Sequence, residues 1–142
     1  MFSYAVRLAR DDNDTVLATF PDVPEAVTFG DDDDDALMHA VDALLTALAH
    51  RIDEGREIPA PSRRGRGKPS VDLPPLAAAK VALYRTMREQ GVSKAALARR
   101  MDIQAPQIDR LLGLYRASRL EHVTRALAAL GKRLAIEVSN AA

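Results

Sequence analysis

The residues whose types and spacing could do chemistry cluster between Gly91 and Arg116, in the segment GVSKAALARRMDIQAPQIDRLLGLYR. Ile108, Leu111 and Leu112 give a short helix its inward side, which turns Ala105, Gln107, Asp109 and Arg110 outward. Gln107, at the exposed N-terminal end, carries an amide that can read adenine bidentately, and Arg110 can read guanine or hold a phosphate. Ala105 offers apolar contact, to a thymine methyl for example. Asp109 is expected to pair with Arg110 or with a cytosine amine. Lys94, Arg99, Arg116 and Arg119 supply charges that anchor a phosphate backbone without specifying sequence. Ser93 and Gln104, at the two helix starts, complete the candidate DNA-facing set. This is the chemistry of recognition, not of bond cleavage.

The elements that must hold these residues are legible in the same stretch. Ser93 is a good helix N-cap, and Ala96, Leu97 and Met101 recur at the spacing of one helical face. Met101-Asp102-Ile103 makes a tight turn, with Asp102 where a glycine is usual and Ile103 pointing inward. Gln104 opens the second helix, and Pro106 falls in its first turn, where a missing N–H costs little. Two short helices joined this way predict a helix-turn-helix. A helix from Leu76 to Gln90 precedes it, with Leu76, Ala79, Leu83 and Met87 inward. Ser118 is expected to cap a helix that follows, carrying Leu120, Val123, Leu127 and Leu130 and stopping at Gly131. The tail alternates Leu134, Ile136 and Val138 as a strand with no local partner. The economical pairing is with a second subunit, and a two-fold dimer would set two recognition helices about 34 Å apart. Whether such a dimer pairs further into a tetramer is left open.

The net charge of +0 conceals a division. Residues 1–60 carry 4 Arg and no Lys against 14 Asp and Glu, a net −10. Residues 61–142 carry 16 Lys and Arg against 6 acids, a net +10. Such asymmetry predicts two domains with different partners, the basic one suited to a polyanion. The expected boundaries are 1–73 and 74–142, with a Pro/Gly/Arg-rich linker at about 59–69. There is no cysteine, which excludes disulfides and thiolate chemistry. No signal-peptide pattern or long apolar run is present, so a cytoplasmic protein without a membrane span is expected.

In the acidic part, Phe2 to Leu8 alternates with Phe2, Tyr4, Val6 and Leu8 on one side, as a strand with one buried face does. Asp11 to Asp14 is a turn, Thr15 to Phe20 a second strand, and Val27-Thr28-Phe29 a third stopped by Gly30. Ser70 to Leu73 is a fourth, returning to the first sheet. The five aspartates Asp31 to Asp35 could bind a divalent cation, but they lack the spaced ligands and central glycine of a calcium loop. They read as a helix N-terminus, where carboxylates cap free N–H groups. The helix that follows carries Leu37, Val41, Leu44, Leu45, Leu48 and Ile52 and ends near Gly55. His39, His50 and His122 have no ligand partners at helical spacing and are expected at the surface. No nucleophile motif, phosphate-cradling loop, cofactor or metal site is read, and no enzyme is expected.

The run FPDVPEAVTFG at Phe20–Gly30, then acids, an Ala-Leu helix and a Pro-rich stop, resembles the HicB antitoxin family. That family's usual form is F-P-D-[LV]-P-G, so Glu25 stands where a glycine is expected. The basic part is similar to the helix-turn-helix subclass of the same family, most distinctively in LGKRL followed by a strand. The resemblance implies an α+β protein: an N-terminal β-β-β-α-β domain like a truncated RNase H fold, then a C-terminal helix-turn-helix domain ending in a β-strand. It implies an antitoxin that binds and covers a HicA-type mRNA-cleaving toxin and represses its own operon at the operator DNA of its own promoter. The rivals are a ligand-sensing repressor with no toxin partner and a metal-dependent RNase H-like nuclease.

Overall fold

The computed structural model describes residues 2–62 and 67–141. The protein is mixed α+β, with two small antiparallel sheets and five helices among the described residues. It divides into two compact units, Met1–Ala78 and Ala79–Ala142.

In the first unit the alternating run at the N-terminus is not one strand. It divides at Val6 into β1 (Ser3–Ala5) and β2 (Arg7–Arg10), because the chain changes partners there. The Val6 N–H donates to Pro69 O at 3.2 Å while its side chain stays buried. β1 pairs antiparallel with β5 (Ser70–Asp72), Tyr4 opposite Val71. β2 pairs with β3 (Val16–Thr19), and β3 with β4 (Val27–Gly30), giving the order β2-β3-β4. The returning strand therefore joins β1 in a separate two-stranded sheet, not the three-stranded one. The turn between β2 and β3 forms as its side chains dictate. Asp11 N–H donates to Thr15 O at 2.8 Å, Asn13 N–H donates to the Asp11 carboxylate, and Asp14 takes φ +62°.

The aspartate run caps α1 (Asp33–Asp53). Asp32 Oδ1 accepts from Asp35 N–H at 2.8 Å, and Asp35 Oδ2 accepts from Asp31 N–H at 2.9 Å. Asp33 to Asp35 fill the first turn, at the positive end of the helix dipole. The inward face of α1 is narrower than its leucines suggested: Ala36, Ala40, Leu44, Ala47, Leu48 and Ile52 are buried, while Leu37, Val41 and Leu45 are half-buried at its flank. Small residues let the helix come close to the sheet. At Gly30, the last residue of β4, a Cβ would sit 2.4 Å from Ala36 N, so only glycine fits.

Two side chains of the FPDVPE run fasten this unit. The Glu25 carboxylate receives both Nε and Nη2 of Arg51, near the end of α1, a bidentate pair. That guanidinium holds the Glu25 carboxyl down at about 2. Asp22 accepts from the N–H and hydroxyl of Ser62. The expected linker thus begins tied down: Ile58 is buried, and Tyr4 OH donates to Pro59 O at 2.8 Å. The basic core of that linker, residues 63–66, lies outside the described residues.

α2 (Pro75–Gln90) leads from the first unit into the second, with Ala79, Leu83 and Met87 buried and Leu76 half-buried. α3 (Lys94–Met101), α4 (Ala105–Leu112) and α5 (Leu120–Ala129) complete the second unit. Its core gathers Leu83, Leu97, Ile108, Leu111, Leu112, Val123, Leu127 and Leu130; Leu120 is exposed instead. Ser118 does not cap α5. The N-cap is Arg119, and the Ser118 hydroxyl points to Arg110 O at 3.4 Å. Residues 132–141 form no strand within the chain, so the alternating tail finds no ladder partner in its own chain among the described residues.

Candidate nucleic-acid interface

The outward face of α4 is built from its two ends. Ser93 Oγ accepts from Ala96 N–H at 3.0 Å and starts α3. Asp102 ends it in the left-handed conformation, φ 54° and ψ 47°, the place usually kept for glycine. Aspartate visits that region more readily than most residues, which explains the turn without glycine. Gln104 N–H then donates to Gln107 Oε1 at 2.9 Å, half of a capping box that opens α4. Ile108, Leu111 and Leu112 are buried; Ala105, Gln107, Asp109 and Arg110 are exposed.

These contacts refine the roles of the residues. Gln107 spends its amide oxygen on the cap, so a bidentate base contact requires that bond to open. Asp109 pairs with Lys94, at 2.6 Å, and not with Arg110. That bridge joins the starts of α3 and α4 and leaves Lys94 partly neutralised. Arg99, Arg116 and Arg119 are exposed, as is the Arg110 side chain. Of the tail residues, Ile136 and Val138 are 73% and 93% exposed, and Leu134 is half-buried.

The sequence reading missed Lys80. It is fully buried on α2, and its ammonium donates to Arg110 O at 3.2 Å, Gly113 O at 2.8 Å and Arg116 O at 2.8 Å. Each N–H meets one carbonyl at the C-terminal end of α4 and the turn beyond, where carbonyls lack helical partners and the dipole is negative. Burial pushes the ammonium below the ordinary lysine range, and the Arg116 charge adds to this. The clamp fixes where α4 ends. A lysine within an Ala-rich helix pattern gave one faint signal, its place among inward positions.

Each unit carries a cleft of its own. In the second unit, a cleft of about 350 Å³ opens between α4 and α5, with Arg110, Arg119, His122 and Arg125 on its walls. In the first unit, a cleft of about 620 Å³ lies between β4 and α1, and His39 and His50 both line it. Three helical turns separate them, so they share a face, about 16 Å apart along the axis. His39 Nδ1 lies 3.0 Å from Phe29 O. Both histidines are exposed, and no group of three or more His, Asp or Glu side chains is placed to hold a metal ion among the described residues.

Residues 3–82 match the family model described as HicB_like antitoxin of bacterial toxin-antitoxin system. The chain belongs to the HicB-like antitoxin family. Full-length relatives agree. The chain is 41% identical to Antitoxin HicB of Pseudomonas fluorescens strain Pf0-1, over 99% of this chain and 97% of that protein. It is 39% identical to Antitoxin HicB 2 of Photorhabdus laumondii, over 92% of each. It is 32% identical to Antitoxin HicB of Escherichia coli K12, over 94% of this chain and 96% of the other. The likeness to HicB antitoxins therefore runs through both units, beyond the span of the family model. No helix among the described residues is long and apolar enough to cross a membrane.

Proposed function

We propose that this chain is the antitoxin of a HicA-type mRNA-cleaving toxin: its acidic N-terminal part binds and neutralises the toxin, and its C-terminal part represses its own operon. Membership of the HicB-like family carries the reading, since an antitoxin implies a toxin partner. The charge division supports it, because the net −10 of residues 1–60 speeds and orients the encounter with a basic partner. On this reading α3 and α4 form the helix-turn-helix, with α4 in the major groove of operator DNA. Gln107 faces base edges, while Arg99, Arg110, Arg116 and Arg119 hold phosphates. The exposed Ile136 and Val138, with Leu134, pair with the same tail of a second copy, which makes a homodimer and spaces two α4 helices along the duplex.

Co-expression beside a tagged product of the neighbouring small gene tests both halves. The expected result is a stable complex that also retards its own promoter fragment. Retardation without a complex would remove the toxin half and leave a ligand-sensing repressor, whose ligand the cleft between β4 and α1 could receive.

A further inference from the structure

The cleft between α4 and α5 gathers three arginines and a histidine with no carboxylate among its lining residues. Arg119, His122 and Arg125 recur every three residues, so they form one stripe along α5. Arg110 faces them from α4, and all four line one cleft of about 350 Å³. Apolar Met101, Ile103 and Leu111 and polar Ser118 and Gln107 line the rest of it. Some basic side chains elsewhere do have carboxylate partners: Arg10 with Asp14, Arg51 with Glu25, Arg56 with Glu54, Lys94 with Asp109. Among the described residues, none of the four cleft side chains makes an ion pair. Asp109 and Glu121, each next in sequence to a cleft residue, do not line the cleft, and Asp109 is paired with Lys94. Three guanidiniums gathered without a carboxylate repel one another, and a bound oxyanion is what offsets that repulsion. Guanidiniums also present forked donors that match phosphate geometry.

We infer that Arg110, Arg119, His122 and Arg125 form a phosphate-binding subsite, filled by a backbone phosphate of the duplex that α4 contacts. It rests on the DNA-binding half of the proposed function. It adds His122 and Arg125 on α5 to the interface and makes α5 a second point of purchase beside the base-facing row. Because Gln107 also lines this cleft, a phosphate held here fixes the register at which α4 meets the bases. The subsite contributes affinity and register, not base choice.

The test is binding of the full chain to its promoter fragment and to a scrambled duplex across a salt series. Arg125→Ala and His122→Ala are expected to weaken both duplexes alike, by about three- to tenfold each. Arg125→Ala should lower the salt slope by about one per protomer, with Arg125→Lys restoring most of it. Both positions are exposed, so far-UV dichroism and the thermal midpoint should stay at the wild-type values. Unchanged affinity and slope in both variants, with a wild type that still binds, would overturn the subsite and leave the repressor reading standing. A wild type that binds no promoter would remove the repressor reading instead. Titration with inorganic phosphate, followed through the His122 ring resonances, then decides the subsite separately. Saturable shifts lost in Arg125→Ala would keep a phosphate site filled from a free phosphate, and no shift would overturn it.

Discussion

Glu25 shows how one departure from a pattern acquires a structural reason. Where the family resemblance expects glycine, the carboxylate reaches across to Arg51 and ties the turn after β3 to the end of α1. Its carboxyl is held at about 2 against an ordinary 4.5, so the folded state binds its proton less readily than the unfolded one. The stability it contributes is therefore complete above about pH 4.5 and lost as pH falls toward 2. Glu25 is 38% exposed, which screens the pair and leaves roughly 1 kcal/mol at neutral pH. Glu25→Gln should remove that acid-dependent part, visible as a flatter urea-midpoint profile between pH 5 and 3. Lys80 is the larger case. Lys80→Met removes a donor from three carbonyls at and beyond the end of α4, two of which keep a backbone partner, and should cost about 2 to 3 kcal/mol in chemical denaturation. At Asp102 the expected change has the opposite sign. Asp102→Gly relieves a positive φ and should be neutral or stabilising by up to about 1 kcal/mol.

At the scale of elements, α3, α4 and their turn were legible because local signals agree. A serine cap, a proline in the first turn and an apolar face of three residues all point to the same boundaries. Ser93→Ala should lower stability by about 1 kcal/mol through the lost cap alone. The acid run was legible for the same reason: its hydrogen bonds are local. What sequence did not show depends on distant partners. The division of the first strand at Val6 follows from β1 pairing with β5, some 67 residues away at Ser3 and Ser70. The inward face of α1 follows from how closely β4 approaches at Gly30, so alanines took places that periodicity assigned to leucines. Gly30→Ala should disrupt that contact, with loss of near-ultraviolet signal or of soluble protein. In the candidate interface, side-chain types were readable but commitments were not. The Lys94–Asp109 bridge joins residues whose meeting requires the turn to be built first.

For the molecule as a whole, the division of charge is the feature that composition hides and position reveals. An acidic unit and a basic unit in one chain suit two partners of opposite sign, as the proposed toxin and operator roles require. If the exposed tail pairs two copies, Ile136→Lys should convert a dimer to a monomer in light scattering. Promoter affinity would fall with it, since two linked α4 helices bind far more tightly than one. The central claim is neutralisation, and the most direct measurement is cleavage of messenger RNA by the purified product of the neighbouring small gene, with this chain titrated in. The account predicts that cleavage stops as the chain reaches stoichiometry with the toxin, and that high salt slows the onset of inhibition. Cleavage that continues unabated at a molar excess of this chain would contradict it.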